Sequence, residues 1–270
     1  MTPIICSEPR VSDRVLLSAG LKNAPDVIQL AHRQGVGAEL MAFAMPDVLD
    51  GDWRQTVEDY RALTDGLPML TLHGPFFDMV PGSIDQRINS MTMERYRHAL
   101  DIASMLGAKI VVFHANFIAS LKNEDYRIGW QSRNVEFFLH VAEYAAAQGV
   151  VAAVENMWEF DPDIITDVLA RVNHPHLRAC LDVGHAHLFS QVPLDKWLDT
   201  VSPFLVHTHL NNNDGLLDIH RALPNGVLDY HDVLAKLRAL PAPPSMTLEM
   251  DSVADMEASL GYFEGFSPAE

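Results

Sequence analysis

The stretch CLDVGHAH, residues 180–187, begins as a buried strand and ends in polar chemistry. Leu181 and Val183 fall on one side of a period-two alternation, and Cys180 and Asp182 on the other. The chain then turns on Gly184 and delivers His185 and His187. A carboxylate at the end of an apolar run is costly to bury unless something pairs with it.

Working outward, the same arrangement recurs. Short β-rich runs stand at IIC (4–6), GAELMAF (37–43), MLTLH (69–73), KIVVFH (109–114), VVAAVEN (150–156), RACLD (178–182), FLVHTHL (204–210) and MTLEM (246–250). Amphipathic helical stretches lie between them, the clearest being APDVIQLAHRQG, WRQTVEDYRALTDG, MTMERYRHALDIASMLG, SRNVEFFLHVAEYAAAQG and YHDVLAKLRAL. Several end in glycine, a common helix stop. Strand followed by helix, repeated, argues for a parallel sheet with helical crossovers. Eight such units in 270 residues predict an α/β protein, a (β/α)8 TIM barrel in a single domain over 1–270. An open doubly wound sheet would place a Gly-rich phosphate loop after the first strand, and SEPRVSD is not one.

Composition narrows the class. With 48% apolar and 20% charged residues the chain reads as a soluble globular protein. It has no apolar run of about 18 residues, and MTPIICSEPR lacks a signal-peptide pattern. The two cysteines, Cys6 and Cys180, suggest no disulfide framework, which fits a reduced, cytoplasmic setting. Thirty-six acidic against 19 basic residues give a formal net charge of −17, a field that repels polyanions unless a local site reverses it. Nucleic acid is therefore a disfavoured partner.

The polar residues that look misplaced stand at strand C-termini: His73, His114, Glu155, Asp182, His209 and Glu249, with His185, Asp218 and His220 in adjoining loops. The C-terminal face of an α/β barrel is where active sites are built. Taken singly, each has an ordinary reading as a packed or hydrogen-bonded side chain. Together they form one rim. Imidazole and carboxylate are the usual Zn²⁺ ligands, and carboxylates also suit Mn²⁺ and Mg²⁺. Four carboxylates in one mouth repel unless their pKa values rise or cations lie between them. With one carboxylate bridging, nine residues give about three to four bonds to each of three ions. His207 shares a strand face with His209 and is expected one layer deeper.

The motifs LHGPF (72–76), FHAN (113–116), VEN (154–156), CLDVGH (180–185), HLNN (209–212), DIH (218–220) and LEM (248–250) make the chain resemble the xylose-isomerase-like barrel superfamily, and within it the endonuclease IV (type 2 AP endonuclease) branch. That resemblance implies a trinuclear zinc site. His73 and His114 would hold one metal with Glu155, which bridges to a second held by Asp182, His209 and Glu249. His185, Asp218 and His220 would hold the third. It implies phosphoester hydrolysis by metal-activated water, with Glu155 and Glu249 at the reacting centre. The acidic surface and the lack of basic, aromatic-rich insertions favour a small phosphate ester over DNA. Phe76, with Phe77, stacks on a substrate ring or packs in its loop; Arg221 clamps a phosphate or is solvated. The rival is a divalent-metal sugar or sugar-phosphate isomerase or epimerase of the same superfamily. It would use Glu155, Asp182, His209 and Glu249 around one ion, and Glu39 at the second strand end is isomerase-like. Such a site leaves His73, His114, Asp218 and His220 without a task.

Overall fold

Parallel strands cannot be joined by hairpins, so each must return through a crossover that covers the outside of the sheet. The computed structural model describes residues 14–263 and shows that arrangement closed on itself. The strands are β1 (Val15–Ala19), β2 (Gly37–Leu40), β3 (Leu70–His73), β4 (Ile110–His114), β5 (Val151–Glu155), β6 (Leu177–Asp182), β7 (Leu205–Leu210) and β8 (Ser245–Leu248). They pair in chain order, and β8 closes on β1 through Val15–Met246 and Leu17–Leu248. The described residues are thus one TIM barrel.

The opening strand differs from the sequence expectation. IIC (4–6) lies outside the described residues, and the barrel begins with VLLSA at 15–19. Two adjacent leucines beside a small Ser-Ala pair carry no clear β signature, whereas Ile-Ile does. The remaining seven runs coincide with strands within a few residues at their ends.

The helices form where apolar residues recur at helical spacing. Helix Ala24–Gln34 buries Ala24, Val27, Ile28, Leu30 and Ala31 against the barrel wall. Helix Glu124–Gln148 starts at Asn123, whose side chain accepts from the Tyr126 N–H, and stops at Gly149 with φ 70°. Nearly all of the apolar core lies between strands and helices. Inside the barrel a much smaller cluster contains Ile110, Val112, Ala153 and Cys180. Period-two alternation then carries Ile110 and Val112 up to His114, and Ala153 up to Glu155. The barrel is thus apolar low down and polar at its C-terminal mouth.

Register decides which polar residues meet. His114 is paired with Glu155, Glu155 with Cys180, Asp182 with His209, and His209 with Thr247. A register shift between Ala179 and Cys180 sets the last part of that alignment. No helix among the described residues is long and apolar enough to cross a membrane.

Gly149 tests the helix-stop argument cleanly, because a Cβ there would meet no atom within 4 Å. Gly149→Ala should cost only its left-handed backbone, about 1–2 kcal/mol. The check is a lowered urea midpoint with unchanged slope.

Candidate metal centre

Asp182 answers the problem posed by its burial. Its chain does not turn at Gly184, contrary to the expectation from sequence; it enters a short helix, Val183–Phe189, directly. Asp182 caps that helix, its Oδ1 accepting from the His185 N–H at 2.6 Å. Oδ2 accepts from Asn211 Nδ2 at 3.0 Å. Asn156 clamps the backbone of the same residue, donating to its carbonyl at 3.0 Å and accepting from its N–H at 2.9 Å. A Cβ on Gly184 would come within 2.1 Å of Asn211 Oδ1, so the absence of a side chain there lets Asn211 reach Asp182.

Around this fixed carboxylate the nine predicted residues converge. Three sets cover all nine, each bringing one ligand atom per residue within 4.8 Å of the others: His73, His114 and Glu155; Glu155, Asp182, His209 and Glu249; and His185, Asp218 and His220. Glu155 is common to the first two and lies among four imidazoles. Its Oε2 is 3.4 Å from His73 Nε2 and 3.3 Å from His114 Nε2. Its Oε1 is 3.1 Å from His209 Nδ1 and 3.6 Å from His185 Nδ1. Asp218 bridges His185 Nε2 at 3.4 Å and His220 Nε2 at 3.3 Å. All but Asp218 and His220 are buried.

The imidazole orientations test whether cations fit. His73 Nδ1 faces the Gly74 carbonyl at 2.9 Å, and His185 Nδ1 faces the Asn156 carbonyl at 3.1 Å. A carbonyl only accepts, so those nitrogens carry the protons. His209 contacts a carboxylate through each nitrogen, Nε2 with Glu39 Oε1 at 2.8 Å and Nδ1 with Glu155 Oε1 at 3.1 Å, and the shorter contact assigns its proton to Nε2. In a neutral ring the other nitrogen then presents a lone pair, and in all three cases it faces a carboxylate oxygen. Acceptor against acceptor requires either a second proton on the ring or a cation between the two. Glu155 Oε2 and Glu249 Oε2 are buried with no hydrogen-bond partner. The donor set therefore fits divalent cations.

Without cations, protons play that part. Burial would raise Glu155, but His209 and His114 hold it well below the usual carboxylate range. Burial likewise opposes ionisation of Glu249, yet His209 and His220 bring it to about 2. Burial raises Asp182 to about 6, with His185 opposing and Glu249 and Glu155 reinforcing. Burial disfavours the charged form of His220, but Glu249, Asp218 and Asp182 raise it to about 9. His185 is raised well above its ordinary value against burial, chiefly by Asp182 and Asp218.

Glu39 lies beneath this layer. The sequence marked it only as a feature shared with isomerases. Its Oε1 accepts from His209, and its Oε2 accepts from His207 Nε2 at 2.7 Å, Thr71 Oγ1 at 2.8 Å and Thr247 Oγ1 at 3.0 Å. Four donors satisfy it without a cation, so its effect is to fix the tautomer and angle of His209. His207 is one layer deeper, as the alternation implied, and its Nδ1 contacts Ser245 Oγ at 2.6 Å. The available signal was the set of inward positions Glu39 and Thr71 on β2 and β3, and His207 and Thr247 on β7 and β8.

Two expected substrate contacts separate. Phe76 stacks on His114 with centroids 4.7 Å apart and meets His73 edge-on at 5.1 Å. Arg221 lies on an exposed loop, its guanidinium 3.5 Å from Asp214, and joins none of the ligand sets. His187 is exposed and also apart from them.

The profile of the xylose isomerase-like TIM barrel family matches residues 28–265. This chain belongs to that family. A relative similar by sequence is the uncharacterized protein MJ1311 of Methanocaldococcus jannaschii, 24% identical over 69% of this chain and 66% of its own length. Among solved structures, the TTHB071 protein from Thermus thermophilus, soaked with ZnCl2, is 28% identical over 94% of this chain and 98% of its own, with a TM-score of 0.80. A D-tagatose 3-epimerase-like protein covers 92% of this chain and 94% of its own at 20% identity and a TM-score of 0.75, a likeness of fold. Further solved structures with this fold include a 3-keto-D-glucoside 4-epimerase and a D-psicose 3-epimerase.

A cation must displace protons on both His185 and His220, so apparent affinity at the His185–Asp218–His220 set should rise as pH goes from 7 through about 9. Chelator-competition titrations across that range give the slope; a flat profile contradicts the assignment. Glu39→Gln removes the charge that orients His209 and should weaken metal binding about 10–100-fold while the fold survives. Metal titration with a circular-dichroism control measures both.

Proposed function

We propose that the barrel mouth is a polynuclear divalent-metal centre that hydrolyses a small phosphate ester, with Zn²⁺ as the favoured ion and up to three ions per chain. The observation that supports this reading most directly is the sharing of Glu155 between two ligand sets, with a third set adjoining through His185. His73, His114 and Glu155 would hold the first ion; Glu155, Asp182, His209 and Glu249 the second; His185, Asp218 and His220 the third.

Bound divalent cations would acidify water, neutralise phosphoryl oxygens and stabilise a leaving oxygen. The chain's own residues supply the geometry. Glu155 holds two ligand sets at one spacing, because its oxygens face different imidazoles. Asn156 and Asn211 fix Asp182, and Glu39 fixes His209. Phe76 covers the outer side of His73 and His114 and excludes water there. An ester small enough to reach this depth avoids the repulsion a long polyanion meets from a chain of net charge −17.

A sugar epimerase is the second reading, and one observation favours it. Glu155, Asp182, His209 and Glu249 form a complete four-ligand set by themselves. The solved structures with this fold include several sugar epimerases, so the comparisons favour this reading over hydrolysis. It leaves five further converging ligands unexplained, and for that reason we rank it second.

Metal quantification with a substrate screen separates the two. About three ions per chain and turnover of a chromogenic phosphodiester support hydrolysis; about one ion and turnover of a ketose support epimerisation. Glu155→Gln should abolish turnover and lose more than one ion, since one carboxylate serves two sets. Retention of every ion in that variant sinks the shared-carboxylate reading.

A further inference from the structure

Beside the metal-ligand sets lies a cleft of about 680 Å³ that reaches His114 and Phe76 at its inner end. Its walls come from the loops after β3, β4 and β5 and from helix Glu124–Gln148. Five large apolar side chains that are at least a third exposed line it: Phe77 at 51%, Trp158 at 46%, Val80, Ile84 and Ile118. Scattered exposed apolar residues need no explanation, but a gathering of them next to a polar site marks a binding surface.

Most polar groups of the cleft are already committed, the exceptions being the exposed Asp78 carboxylate and the terminal nitrogens of Arg133. Asn116 Nδ2 donates to the Met79 carbonyl at 2.7 Å, and the Tyr126 hydroxyl accepts from the Ile118 N–H at 3.1 Å. Arg133 Nε donates to the Gly82 carbonyl at 2.8 Å. Its two terminal nitrogens have no hydrogen bond or carboxylate partner among the described residues. A polyhydroxylated chain entering here would lose water partners and find few replacements. A flat apolar ring loses nothing and gains stacking area, and Arg133 is the one cationic side chain in the lining that could take an oxygen carried on such a ring.

We propose that this cleft is a subsite for an aromatic or heteroaromatic group of the substrate, bearing an oxygen at its outer edge, so that the substrate class is an aryl- or nucleobase-bearing phosphate ester. This rests on the phosphoesterase reading for the phosphorus end only. Phe77 and Trp158 form the stacking walls, and Phe76 forms the floor that joins the ring's pocket to the metal-ligand sets. Arg133 selects the ring's edge.

Phosphonates test the subsite without turnover, because their C–P bond is not hydrolysed. Binding of phenylphosphonate and methylphosphonate to the zinc-loaded protein is compared by calorimetry. Phenylphosphonate should bind about tenfold tighter, and the double variant F77A/W158A should erase the difference while keeping its zinc content and its affinity for methylphosphonate. A nitro group at the ring's para position should add affinity that Arg133→Met removes. Equal or undetectable binding of the two phosphonates, or a preference that survives in the double variant, overturns the subsite. A lost preference together with lost zinc in the double variant is decided by the single variants F77A and W158A, each of which should halve the advantage or more at full zinc content. Hydrolysis is measured separately. A protein that shows the aromatic preference and cleaves no phosphate ester keeps the subsite and loses the proposed reaction.

Discussion

Glu155 sits among four imidazoles at the end of the fifth barrel strand, and the rest of the mouth follows from keeping that carboxylate charged where no water reaches it. An isolated carboxylate at that depth would protonate. Here positive charge must be present, carried either by protons on the histidines or by cations between them and the acids. The carbonyl acceptors of Gly74 and Asn156 and the carboxylate of Glu39 point the unprotonated nitrogens inward, which biases that choice toward cations. Loading of a metal there would therefore be coupled to release of protons.

Much of this could be read from the sequence because barrel strands impose a simple rule. Residues two apart share a face, and the last inward residue of each strand reaches the mouth. His73, His114, Glu155, Asp182 and His209 obey it, and their convergence follows from closure of the sheet. The opening strand was not legible, since VLLSA carries a weak β signature and closure with β8 is a long-range event. The short helix after Asp182 has the sequence of a turn. Gly184 suggests a break, yet the aspartate cap and the packing of Asn211 against the bare glycine favour a helix.

The supporting layer was harder still. Glu39 matters through four partners on β3, β7 and β8, and no local pattern connects residues 39, 71, 207 and 247. Asn156 and Asn211 lie inside recognisable motifs, but their task, holding a backbone and a carboxylate, appears only in three dimensions. For Arg221 the sequence left two readings open. Adjacency to His220 in sequence suggested a shared site, whereas alternation along the loop sends its side chain to Asp214.

Seven of the nine converging residues are mounted on or directly after barrel strands, or on the helix Asp182 caps; Asp218 and His220 hang from a long loop between the seventh strand and helix Tyr230–Arg238. Both ends of that loop are anchored by buried Asn211, Asn212, Ala222 and Leu223, so only its exposed tip around residues 214–220 stands apart from the framework. Changes confined to that tip would remove two of the nine converging side chains and leave the other seven in place.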